Sequence, residues 1–160
     1  MTCVTQLAPP SPFSHRPPIG DSMDREAHGA GEQTQFLNVD LDVESSGDLS
    51  SLVTALGPVA FTLHDVVNTQ GHRVSFELNG NESMDAESTI QRFVDAIMAL
   101  PGDARHCWNN ATVRRFSIGI QAGVRPHSFV VGLKLQTLES LVSLASTVEF
   151  VVYSATPAQN

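Results

Sequence analysis

The chain has 160 residues, 41% of them hydrophobic and 16% charged, which suits one globular domain with a proper apolar core. Its 17 acidic and 9 basic residues give a formal net charge of -8, which disfavours phosphate backbones and anionic lipid as partners. No run is apolar and long enough to cross a bilayer as a helix, and the N-terminus carries neither the basic nor the apolar region of a secretory signal.

A cytoplasmic protein is therefore the expectation, with no cofactor and no metal. Cys3 and Cys107 make no disulfide framework. Residues 1–35 read as a disordered leader, because Pro9, Pro10, Pro12, Pro17 and Pro18 sit among polar residues without an apolar period. Met23 heads a short polar run into the first strand and offers an alternative start. A single α+β domain is expected over residues 36–155, followed by a loose tail at 156–160.

From Leu37 to Val43 apolar residues alternate with Asn38, Asp40 and Asp42, the period of a half-buried strand. Asp48 is placed to cap a helix carrying Leu49, Leu52, Val53 and Leu56, and Gly57-Pro58 ends it. A hairpin follows, with Val59, Phe61 and Leu63 inward on one arm and Val74, Phe76 and Leu78 inward on the other. Ser83 or Asp85 caps the longest helix, whose stripe is Ile90, Phe93, Val94 and Ile97. A helical turn carries Trp108, expected in the core. Strand four points Phe116, Ile118 and Ile120 inward. Strand five directs Phe129, Val131, Leu133 and Leu135 inward. Thr137 caps a last helix, and strand six contributes Val148, Phe150 and Val152.

The order is β-α-β-β-α-β-β-α-β. Its first six elements spell a ferredoxin-like unit, so a largely antiparallel sheet with helices on one face is predicted. The chain also repeats itself. Leu49, Leu52, Val53, Val59 and Phe61 match Leu138, Leu141, Val142, Val148 and Phe150, which predicts that the two phenylalanines fill equivalent core positions.

No Gly-rich phosphate loop, metal-spaced Cys and His cluster or nucleophile elbow occurs. Chemistry must come from the open face of the sheet. There Asp40 and Asp42 stand two residues apart on one strand, a pair able to share a proton or hold a hard cation, with His64 on a neighbouring strand. Arg73 or Arg115 would neutralise such carboxylates in a plain solvated face. A second feature is a weakly charged strip of Val130, Val151 and Tyr153, with Gly119 and Gly132 leaving room for another backbone.

The closing segment, RRFSIGIQAG and then HSFVVGLKLQTLESLVSLASTVEFVVYS, resembles the uncharacterised bacterial family labelled domain of unknown function 4279. The likeness covers residues 114–154 and, more loosely, 87–100. It implies a short chain ending in strand, turn, strand, Leu-rich helix and a strand finishing in Tyr, here Tyr153. It implies no catalytic residues.

The functional expectation is a non-enzymatic protein-binding domain, of immunity type by analogy of size and acidity. Its partner is another protein or a second copy in a homodimer, and neither nucleic acid nor membrane. The alternative is a small-molecule sensor or enzyme that uses the open sheet face through Asp40, Asp42 and His64.

Overall fold

The computed structural model describes residues 33–155. Most of the expected leader, including Cys3 and Met23, and the tail at 156–160 lie outside the described residues. The described residues begin before the expected domain boundary at 36, and β-structure starts at residue 35. Thr34 exchanges hydrogen bonds with Gly123, its hydroxyl donating to the carbonyl at 3.2 Å and accepting from the amide at 3.0 Å. A Cβ on Gly123 would come within 2.3 Å of the Gln33 backbone, so only glycine permits this approach.

Alternating apolar residues build β1 (Gln35–Ser45), β3 (Gly71–Leu78) and β4 (Val113–Gln121). The other strands are β2 (Ala60–Asn68) and β5 (Thr147–Tyr153). The helices are α1 (Ser50–Leu56), α2 (Ala86–Met98), α3 (Gly102–Asn110) and α4 (Leu135–Ser143). The five strands form one sheet in the order β2-β3-β1-β4-β5. Three neighbouring pairs are antiparallel, and β4 pairs β5 in parallel. The sheet is thus mixed, not largely antiparallel as expected.

One face of the sheet carries the core. Val39, Leu41 and Val43 of β1, Val74, Phe76 and Leu78 of β3, and Phe116 and Ile118 of β4 are buried with Leu52, Ile90, Phe93, Ile97 and Leu141 from the helices. Phe93 and Phe116 meet edge to face, with ring centroids 5.9 Å apart. Trp108 is buried as expected, and Arg114 reaches from β4 to donate to the Trp108 carbonyl at 3.0 Å, satisfying the open end of α3.

Local capping follows from polar side chains at the helix starts. Asp85 accepts from the Ser88 amide at 2.8 Å, opening α2. At α1 the Ser50 amide donates to Asp48 at 3.1 Å, and the Leu49 amide donates to Nδ1 of His72 at 2.9 Å. That bond leaves the His72 proton on Nε2, which lies 2.7 Å from Asp65. Buried His72 therefore ties α1, β2 and β3 together. Thr137 does not cap α4. It lies within the helix and donates to Glu87 of α2 at 2.7 Å, while Glu87 also accepts the Lys134 amide at 3.0 Å. Glu87 performs the capping from a neighbouring helix.

Two expectations fail for physical reasons. Strand five is absent, because residues 122–134 are irregular and α4 starts at Leu135. A strand that joins its predecessor in parallel needs a crossover of about a dozen residues or more, and residues 122–146 are that crossover. Both sides of β4 are already occupied, by β1 and β5. The second failure is the register of β2. Ala60 and Thr62 lie opposite Leu78 and Phe76, and Phe61 lies opposite Glu77 on the outer face, with a bulge between Thr62 and His64. Phe61 is 45% exposed and Phe150, though beside core residue Ile118, is 56% exposed on an edge strand. The matched phenylalanines are not equivalent core positions.

Phe116→Ala should cost about 3–5 kcal/mol in chemical denaturation, and Phe61→Ala under about 1 kcal/mol. Equal losses at the two positions would contradict the register described for β2. Gly71→Ala should be severe as well. Gly71 has φ of 138° and an added Cβ would stand 2.1 Å from the Ser45 carbonyl oxygen, so a loss beyond about 2 kcal/mol is expected. Native-like stability of that variant would contradict the tight approach of β3 to β1 there.

Candidate functional site

The outer face of the sheet gathers polar side chains in rows set by strand register. Across one row, His64 of β2 lies opposite Ser75 of β3, Ser75 opposite Asp42 of β1, and Asp42 opposite Arg115 of β4. In the next row, Glu77, Asp40, Ser117 and Glu149 follow from β3 to β5. Alternation in β1 sends both aspartates to this face.

Asp42 is buried and fully engaged. It accepts from Ser75 Oγ at 2.5 Å, from Arg115 Nη2 at 3.1 Å and from Ser117 Oγ at 3.3 Å. Arg115 also pairs with Glu149 at 3.2 Å, and the single Ser117 hydroxyl proton is shared between Asp42 and the closer Glu149, at 2.9 Å. This ladder crosses β3, β1, β4 and β5. Each carboxylate in it has a cation or hydroxyl partner, the arrangement that makes a buried charge tolerable. Ser75 donates to Asp42, so its proton is not held by His64, and the row is not a nucleophile with its base.

Asp40 differs. Its one polar contact in the ladder is Asn38, which donates to it at 2.9 Å. Burial, then the charges of Glu77 and Asp42, push its carboxyl from the usual 3.8 up to about 6, with His64 opposing them. A carboxyl near neutrality is the property a general acid or base needs. The grooves formed elsewhere do not reach it. One of about 500 Å³ lies between α1 and the start of α3, lined by Ser50, Thr54, Pro101 and Asp103. Another of about 250 Å³ lies beside Ser45, Gly71 and His72. Among the described residues no group of three or more His, Cys, Asp or Glu side chains is placed to hold a metal ion.

The apolar strip expected from Val130, Val151 and Tyr153 does not assemble. Val130 lies in the irregular segment before α4 and, with Phe36, Glu87 and Phe129, lines a cavity of about 170 Å³ near the start of α2. Phe36 belongs to the helix side, opposite Ile120. Val151 and Tyr153 occupy the opposite, outer face, beside Gly119 and Gln121. Gly119 leaves no room for another backbone, since an added Cβ would stand 2.6 Å from the Asn38 side-chain oxygen.

A different surface is present at β5. This strand ends the sheet, so among the described residues one side of its backbone has no neighbouring strand. On its helix side Phe150 is 56% exposed and Val152 is 61% exposed, while Tyr153 on the outer side is 50% exposed. The preceding helix adds exposed Leu135, Leu138 and Val142. Sequence reasoning missed this surface because it read Phe150 and Val152 as core. The available signal was the composition of residues 147–153, which lack Lys, Arg and Pro.

Compared with protein families, curated proteins and solved structures, the chain has no match. Among the described residues no helix is long and apolar enough to cross a membrane.

The folded-state pKa of Asp40, about 6, lies above its unfolded value of 3.8. The folded chain thus binds more protons between those values, and stability falls as pH rises through that window. Asp40→Asn should raise stability at pH 7.5 by about 1 kcal/mol, a figure reduced for solvent screening at this half-buried position. The gain should vanish below about pH 4. Thermal melts across pH check this, and a variant equal to or weaker than the parent at pH 7.5 would contradict the crowding of Asp40.

Proposed function

We propose that the chain is a non-enzymatic protein-binding domain that engages its partner along β5. The observation that carries this reading is an edge strand with exposed Phe150, Val152 and Tyr153, beside a backbone that has no neighbouring strand among the described residues. Such an edge offers ladder hydrogen bonds for affinity and alternating side chains for specificity. The outer face supports the same view, because Asp42, Arg115, Ser117 and Glu149 are paired with one another, with only Arg115 Nε, 3.2 Å from Glu149, making no hydrogen bond. Groups engaged in that way have little left for a substrate.

The ferredoxin-like reading of the first elements is supported by the antiparallel order β2-β3-β1-β4, to which β5 is an addition in parallel. An immunity-type role is consistent with an acidic chain of this size that binds protein through an edge, and it rests on analogy. A second functional reading, a sensor or enzyme on the outer face, is favoured by one observation, the raised pKa of Asp40.

The two readings separate in an affinity-capture comparison. Tagged parent protein, a Phe150→Lys/Val152→Lys variant and a His64→Ala/Asp40→Asn variant are each exposed to native lysate. Edge binding predicts that the lysine pair loses at least about tenfold of the specifically bound protein, a change of about 1.4 kcal/mol or more in affinity, and that the second variant keeps it. Capture that survives the lysine pair would remove β5 from the function.

A further inference from the structure

We infer that the partner of the β5 edge is a second copy of this chain, paired antiparallel about a two-fold axis at Phe150. This deepens the edge-binding reading and rests on it. Antiparallel self-pairing of identical strands closes on itself, so the same seven residues serve both copies.

Charge selects the register. With Phe150 opposite its own counterpart, Val148 faces Val152, Glu149 faces Val151 and Thr147 faces Tyr153. No like charges stand opposite each other. Glu149, the only charged residue of β5, shares Arg115 with Asp42 within its own copy and stands opposite Val151 in this register. Moving the axis to Glu149 would set two carboxylates face to face, which is unfavourable. Moving it to Val151 would leave Val148 opposite Ser154, beyond the strand end. The Phe150 register uses the whole strand.

Sidedness agrees. A two-fold axis perpendicular to the sheet keeps the helices of both copies on one side. The exposed ring of Phe150 then meets its counterpart there, and Val152 meets Val148 of the other copy. Thr137 of α4 faces α2 through its bonds to Glu87 and Gln91. Leu138, Val142 and Leu135 follow roughly 100–160° around the helix, on the flank turned from Thr137, and add apolar surface that a seven-residue strand pair lacks on its own. A stable interface buries about 1,600 Å² in total.

The other edge differs in its backbone. β2 exposes Phe61, Leu63, Val66 and Val67, but it is bulged between Thr62 and His64, and a bulge interrupts the ladder that a further strand would need. β5 has an unbroken register against β4.

The test uses the full chain. Sedimentation equilibrium at micromolar concentration should give the mass of two chains, and Phe150→Lys/Val152→Lys should give the mass of one, with an unchanged far-UV circular dichroism spectrum. A parent monomer overturns the proposal, as does a dimer that survives a folded lysine pair. Should the lysine pair unfold, cross-linking decides. In a Cys3→Ser/Cys107→Ser background, Phe150→Cys should couple to itself through a short bismaleimide. Thr147→Cys should couple only when mixed with Tyr153→Cys. No coupling, or coupling of Thr147→Cys to itself, overturns the register and the proposal. A parent monomer whose lysate capture is lost in the lysine pair would leave edge binding standing with a different partner, and capture unchanged in that variant would remove both.

Discussion

The parallel pairing of β5 with β4 is the constraint from which most of this structure follows. Two parallel neighbours cannot be joined by a tight turn, so the chain must travel the length of the sheet before it returns. Residues 122–146 make that journey, first as an irregular segment and then as α4. Val131 and Leu133 pack against the core on the way, while Phe129 stays exposed, and the run forms no strand. Because β5 arrives last and lies outside β4, it becomes an edge. Its helix-side residues beyond Val148 extend past the cover that α2 and α4 provide, and Phe150 and Val152 are exposed there.

The polar outer face is held by a complementary constraint. Asp42 is buried at the centre of the sheet, where an unpartnered carboxylate would be costly. Ser75, Ser117 and Arg115 supply the partners from the strands on either side. Arg115 then passes the charge outward to Glu149 on β5. The same side chains that stabilise Asp42 therefore also contact the one charged residue on the edge strand. Fold and candidate interface are coupled through a single guanidinium.

Much of the fold was legible in the residues alone. The period of two in Val39–Val43, the stripe of α2 and the cap at Asp85 all specify local structure directly, and the structure contains each of them, whereas Leu37 is exposed beside a break in register. Features that depend on who lies next to whom were not legible. The Val59, Phe61 and Leu63 alternation gave a register off by one, because the hydrophobic pattern of an edge strand is weakly constrained and a bulge intervenes. Alternation places Asp40 and Asp42 on one face, and His64 reaches that face through the bulge after Thr62, which resets the register of β2. Their inequality was not visible, since it arises from cross-strand neighbours: hydroxyls and Arg115 for Asp42, carboxylates for Asp40. Val130 was separated from Val151 by the missing strand. The exposure of Phe150 needed the sheet order, which no local pattern encodes.

The claim at the centre of this account is that the open edge of β5 is a working interface. Amide hydrogen exchange of the full chain, followed as protein concentration rises from nanomolar to tens of micromolar, addresses it most directly. Protection that grows with concentration within residues 147–153, while residues 60–68 of β2 exchange at a constant rate, is the predicted result. Exchange in residues 147–153 that is rapid and independent of concentration would contradict the account.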